Sequence, residues 1–414
     1  MLKVKRFLFS QRVFFGLFFF LLAYEALVGN NLAPWRVNDH FITFYTVDFG
    51  LGFCSRFLPG AVYRLLFRTL NRTVLSAVCI LLTVLFFAAV CLLLEKLYSR
   101  AGENERPVCL FFFLLLITGP ASFSLFVKWL GVIDFYWVLL CPLFVLALSS
   151  PRTYFLIPPL FVLLILVHYG AMICYVPMMA ILLLYRFVTA EEKRERRALA
   201  AVLLVSVCAA AGLTVYFILF ERRNLPYSME EFNAILLERG AKYTYYYDYN
   251  IYRNLSSAGD QSVEGFIYGA GDPLITIARS VWMQVKTTLA LRFKAGLTLE
   301  YVLSLLLTAP AAGVIISVFV ARFRAEKGAA FLKRAVYLLA PLVFAGGFIA
   351  STLFSSDTFR WVTHTFLPLI TVFLYMAYRE GEDFWNAARR KLSAVPVPAS
   401  AVYLIAYAAI VAAE

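Results

Sequence analysis

The residues able to do chemistry in this chain gather in a few short stretches. In TVDFGLGFCSRFLPG, residues 46 to 60, Asp48 and Arg56 stand among glycines and phenylalanines. Flanking glycines let a backbone fold closely around a ligand, and Phe49 and Phe53 can keep water from a carboxylate, which are the conditions for Asp48 to act as a general base. The structural reading of the same residues is an Asp48–Arg56 salt bridge that fixes the loop. Asp39, in VNDHF, is a second candidate base, although Asn-Asp is also ordinary turn chemistry. Arg56, beside Gly52 and Pro59 and outside any regular helix, suits a phosphate ligand through its fork of donors.

Further along, GAVYRLLFRTLNRT repeats Arg64, Arg68 and Arg72 every four residues with Val62, Leu65, Leu66 and Leu70 between them. That is the pattern of an amphipathic helix lying on a membrane surface, whose arginines either snorkel to lipid phosphate or form a basic rail for the phosphate of a lipid-linked substrate. FSSDTFRWVTHTF places Asp357, Arg360, Trp361 and His364 on one face of a helix, if a helix begins there. Asp357 with Arg360 reads either as a helix start with a local ion pair or as part of a site. His168, in LVHYGAM, sits at a hairpin tip, while Lys128 and Asp134 flank WLGVI, where an interfacial anchor accounts for the lysine and the tryptophan. KYTYYYDYNIY, residues 242 to 252, fits an aromatic belt or a sugar-stacking groove.

The elements that must position these residues are transmembrane helices. Of 414 residues, 62% are hydrophobic and 15% charged, too apolar a balance for a water-soluble domain. Apolar runs predict eleven spans, at 13–29, 74–95, 107–119, 132–149, 154–167, 171–186, 198–220, 299–321, 335–354, 361–378 and 396–413, within a single all-α polytopic membrane domain covering 1–414. The first lacks a small-residue cleavage site and reads as a retained helix. With the N-terminus cytoplasmic, Lys and Arg of the inner tail and loops outnumber those of the short outer loops by about three to one. The loop 30–73 and the long segment 221–298 then face outward, and so do nearly all the polar residues named above. The net charge of +13 lies mainly between apolar runs, where it sets topology, so nucleic acid is not an expected partner. Seven cysteines form no C-x-x-C pair, which argues against a disulfide framework or a zinc site. No phosphate-loop, nucleophile-elbow or H-E-x-x-H motif occurs.

The set D-F-x-x-G-F-x-x-R-x-x-x-G (Asp48, Phe49, Gly52, Phe53, Arg56, Gly60), His168 in the middle hairpin, and D-x-x-R-W (Asp357, Arg360, Trp361) resembles a group of bacterial polytopic proteins associated with envelope polysaccharide synthesis. The layout also resembles the C-type membrane glycosyltransferases (GT-C), with an acidic residue in a long first outer loop, interfacial helices there, and a further large outer loop. Departures from the pattern are His40 after Asp39, where that superfamily often has a second acid, and Tyr169 after His168, where the bacterial group usually has glutamate.

The resemblance implies a glycosyltransferase of the bacterial cytoplasmic membrane that takes a sugar from a polyprenyl-phosphate donor at the outer face and passes it to a glycan or lipid-linked acceptor. Asp48 or Asp39 would be the base; Arg56, Arg360, His168, Asp357 and Arg64 would bind substrate or phosphate. No cofactor is identified, and a divalent metal is an open expectation. The alternatives are a polymerase or ligase of lipid-linked oligosaccharides, a transporter of lipid-linked glycans, and a non-catalytic assembly scaffold.

Overall fold

A backbone crossing lipid must satisfy its N–H and C=O groups within its own segment, and helices do so without leaving an edge. In the computed structural model every regular element among the described residues is accordingly a helix. The structure describes residues 36–103, 105–118, 130–221, 225–244, 298–326, 331–354 and 358–392, with isolated positions between 282 and 290 and between 399 and 406. The predicted first span, Lys128, Asp357, most of the tyrosine run and most of the last span lie outside the described residues.

A short helix α1 (Asp39–Ile42) and α2 (Leu58–Phe67) precede the long α3 (Arg72–Arg100). Next come α4 (Arg106–Thr118), α5 (Asp134–Leu148), α6 (Ile157–Val167), α7 (Ala171–Thr189) and α8 (Lys193–Phe220). Later in the sequence are α9 (Met229–Glu238), α10 (Thr298–Ala325), α11 (Phe331–Phe354), α12 (Thr358–Glu380) and α13 (Glu382–Leu392).

A helix stands at each predicted span from 74 to 378. Five stretches are long and apolar enough to cross a membrane: Ala171–Thr189, Lys193–Phe220, Leu306–Ala325, Phe331–Leu353 and Arg360–Glu380. A sixth is reached if α2 and α3, which meet at 116°, are one broken span, so the expected eleven are not reached among the described residues. The shortfall lies partly in α5 and α6, whose 15 and 11 residues rise about 22 and 16 Å against a hydrocarbon core of about 30 Å. The predicted basic stripe is also interrupted. Arg68 takes a positive φ of 41° at the end of α2, and the chain turns before restarting at Arg72 under the Asn71 cap, so Arg64, Arg68 and Arg72 do not share one helix.

Helix α12 is the central pillar. Its spanning stretch is 76% buried, against 22% for that of α8, which shows Leu204 and Val205 on its outer face. Charge is confined to the two ends of the pillar. Arg360 marks one, and Glu380 marks the other, held by Arg322 at 2.8 Å and by the hydroxyls of Tyr185 and Tyr337. Twenty residues separate these layers, a rise of about 30 Å, or one hydrocarbon thickness. Five helices carry an internal proline (Pro142, Pro177, Pro310, Pro341, Pro368), as spanning helices tolerate. Together these features fit a multi-pass membrane protein.

At the Arg360 end the first loop folds down as a cap. Tyr45, Val47, Cys54 and Phe57 are buried, Tyr45 reaches Gly131 O at 2.9 Å, and the Val37 amide donates to Ser76 Oγ at 3.0 Å. The capping box of α9, Ser228 with Glu231, starts a helix that lays Phe232 over Phe57. Gly60 makes this closure possible. A Cβ there would stand 2.1 Å from Val47 O and 2.9 Å from Phe44 O, both rigid backbone. Gly60→Ala is expected to cost on the order of 1–3 kcal/mol or more through overpacking, read as a lower melting temperature in detergent. Gly212→Ala, where nothing lies within 4 Å, should be neutral or stabilising, since alanine is the better helix former.

Candidate functional site

Two groups of polar residues meet at the Arg360 end, with Trp137 between them. Helix α6 stops at Val167, where the His168 amide closes the last turn on Leu164 O at 3.2 Å. Leu164 O accepts the Trp137 indole N–H at 3.0 Å, and Leu166 O accepts the Arg56 amide at 3.0 Å. The helix end therefore anchors the loop to the bundle.

Arg56 is almost wholly buried and held at φ 69°, a left-handed conformation that costs a non-glycine residue on the order of 1–2 kcal/mol. Its guanidinium points into the bundle, with Nη2 2.5 Å from His168 Nε2 and Cζ 5.7 Å from the Tyr169 ring centroid. On the other side of the ring, His168 Nδ1 faces the Gly170 amide at 2.8 Å. Two donors thus compete for the single acceptor of a neutral imidazole, and protonation would leave neither contact. Burial, and then the Arg56 charge, hold His168 well below the usual histidine range. Glu221, just past α8, accepts from Ser55 N at 3.0 Å and Ser55 Oγ at 2.6 Å; burial raises its pKa, and Arg56 and Ser55 oppose that rise.

Beyond Trp137, Asp134 opens α5 and is buried. Its Oδ2 lies 3.1 Å from Arg360 Nε and 3.4 Å from His364 Nε2, while His364 Nδ1 is 2.6 Å from the Tyr175 hydroxyl. These contacts tie α5, α12 and α7 together. Trp137 stands edge-on to both His168 and His364, each at 5.3 Å. Helix α12 begins at Thr358, so Arg360, Trp361 and His364 share the predicted face. Arg360 pairs with Asp134, while Asp357 lies outside the described residues.

The two candidate bases are held differently. Asp48 does not pair with Arg56 as a loop-fixing bridge. Its Oδ2 meets Arg64 Nε at 2.6 Å and Arg239 Nη1 at 3.0 Å, and its Oδ1 accepts the Gly50 amide at 2.9 Å. The reason is directional, since Arg56 is turned inward to His168. Asp39 takes Arg72 at 2.5 Å and Lys242 at 3.0 Å, and the Lys242 side chain is 59% exposed. Next to it, burial lowers the pKa of His40, and the charge of Arg360 acts in the same direction.

Arg64 is spent on Asp48, Arg56 on the buried side, and Arg360 keeps a side chain 31% exposed. Sequence reasoning missed Arg239, Glu221 and Tyr175, which reach the site only through folding. For Asp134 a signal existed, because an acid opening an apolar helix needs a partner. Among the described residues no group of three or more His, Cys, Asp or Glu is placed to hold a metal ion. Comparison with protein-family models, characterised proteins and solved structures finds no match for this chain.

Removing the Asp134 carboxylate takes a partner from Arg360 and from buried His364. Asp134→Ala is expected to lose about 1–3 kcal/mol, the cost of leaving a buried polar group without its partner, with Asp134→Asn milder; thermal unfolding in detergent reads both. His168 gives a pH dependence whose sign is fixed. Its folded pKa lies below the unfolded value near 6.5, so below that pH the unfolded chain binds a proton that the native state refuses, and stability falls as pH falls. The wild-type melting temperature should drop between about pH 6.5 and 5, and the His168→Gln profile should be flatter over that window.

Proposed function

We propose that this protein is a glycosyltransferase of the bacterial cytoplasmic membrane, GT-C-like, with its N-terminus cytoplasmic and its site at the outer face. It draws a sugar from a polyprenyl-phosphate donor for envelope glycan synthesis. The observation that carries this reading is that Asp39, with one oxygen on an exposed lysine, and the partly exposed Arg360 stand at the same end of the molecule, beside an amphipathic surface helix whose Leu65 and Leu66 are exposed. A phosphate at membrane level meets a cation there, and an acceptor hydroxyl meets a carboxylate.

Asp39 takes precedence over Asp48 as the base. Asp48 is engaged by two guanidiniums and an amide, whereas one oxygen of Asp39 is covered only by an exposed lysine that an acceptor can displace. In the step proposed, Asp39 takes the acceptor hydroxyl proton as that oxygen bonds to the anomeric carbon. The bond from that carbon to the phosphate oxygen breaks with inversion, and the electron pair leaves with the phosphate, whose growing charge Arg360 stabilises. His40, kept neutral, can hydrogen-bond a sugar hydroxyl. Arg56 and His168 support the site from beneath.

One observation favours a second reading, a non-catalytic assembly protein: each acid of the first loop is already bridged by two cations, as a structural clamp would be. The two readings separate on purified protein in lipid nanodiscs given polyprenyl-phosphate-linked sugars and glycan acceptors. Transfer should occur in the wild type, and Asp39→Asn and Arg360→Gln should each lower kcat by about 10²–10³, the cost of losing a base or a charge-stabilising donor; Asp39→Asn should do so at unchanged melting temperature, and Arg360→Gln with the lower melting temperature that follows from taking a partner from buried Asp134. Loss of surface glycan in a deletion strain that both variants fully restore would leave the scaffold reading.

A further inference from the structure

A second feature lies further along the same face of the pillar, beyond the Asp134–His364 pair. Helices α3, α5 and α12 enclose an apolar cavity along residues 86–97, 138–149 and 367–378. Each stretch covers twelve positions and rises about 16 Å, half the hydrocarbon core. The helices start at the same end, since Asp134 pairs with Arg360 and Tyr45 bridges Tyr136 and Cys79.

The cavity is closed at one end and open at the other. One turn before Val138 and Leu367 stand Asp134 and His364, both buried and neither part of the wall. Among the lining residues only Lys96 and Ser149 are exposed, and both lie at the opposite end, near Tyr378. Lys96 is also the single Lys, Arg, Asp or Glu among them. That end of the molecule is basic in general, since α13 closes with Arg389, Arg390 and Lys391.

We propose that this cavity holds one hydrocarbon chain of an anionic glycerophospholipid from the leaflet at the Glu380 end, with the lipid phosphate at Lys96. The apolar wall fits a chain half a bilayer long, and the buried Asp134–His364 pair stops it from reaching the other face. The cation at the mouth selects an anionic head, and Tyr378 lies at the level where aromatic residues meet headgroups. This site is at the opposite end of α12 from Asp39 and Arg360 and does not depend on the transferase reading.

The test is native mass spectrometry of the full chain, released from a neutral detergent after exposure to equimolar phosphatidylglycerol and phosphatidylcholine. One phosphatidylglycerol should be retained in about fivefold preference, the ratio that one lysine near an anionic head supplies. Lys96→Glu should abolish the preference, and Ser149→Tyr, at the exposed mouth, should lower total retention, with both melting like the wild type. Retention of no lipid by the wild type, as when the chain's own apolar segments fill the cavity, overturns the proposal. So does retention unchanged in both variants, which would place the lipid elsewhere.

Discussion

A carboxylate buried at the start of an apolar helix constrains everything around it. Asp134 cannot be left without compensation, because a lone ion in so apolar a setting costs more than the fold's other local interactions recover. Arg360 and His364 meet it from two successive turns of α12, and Tyr175 reaches His364 from α7. These contacts fix the rotation and height of α5 and α12 relative to each other. Trp137, three residues further along α5, is then fully buried between the two histidines, and the helix faces below are aligned along the length of the lateral cavity. The polar end and the apolar cavity are thus two results of one pairing.

The same constraint explains why α5 and α6 can be too short to cross a membrane. A helix whose polar end stops below the surface needs a roof that satisfies its terminal groups, and the cap formed by residues 36–71 and α9 supplies it. Leu164 and Leu166 find donors in Trp137 and Arg56, and Ser55 binds Glu221. The strained backbone at Arg56 is retained because several contacts determine it at once: its amide, its guanidinium and its neighbour Ser55 all have fixed partners. Hydrophobicity alone does not build this roof, which needs glycine at 60 so that α2 can lie against the Val47 carbonyl.

Much of the helical layout was legible as apolar runs, since their length and flanking charges follow directly from the bilayer. A helix occurs at every predicted span from 74 to 378, and the face shared by Arg360, Trp361 and His364 could be read from their spacing. What could not be read was pairing between distant segments. Asp48 lies eight residues before Arg56, yet it binds Arg64 and Arg239, 16 and 191 residues away, because loop direction decides which arginine turns inward. Arg68 looked continuous with Arg64 in periodicity, but the helix breaks there, and periodicity carries no information about a bend. Asp134 had no partner legible in the sequence because its partners are 226 and 230 residues further on.

The charge layers also bear on how such a site can work. Arg360 is held by Asp134 while its side chain stays 31% exposed, so its guanidinium is oriented before any ligand arrives, and little reorganisation is needed to meet an anion. Asp39 is in the opposite condition, since its partner Lys242 sits on a solvent-exposed stem and can swing away. A preorganised cation beside a displaceable counter-charge is an arrangement suited to admitting an anion and releasing it again. Asp48, clamped between two arginines of different segments, instead ties α9 to α2 and keeps the roof closed. The two acids of the first loop, nine residues apart in sequence, thereby differ in how firmly they are held: Asp48 by two arginines, Asp39 in part by an exposed lysine.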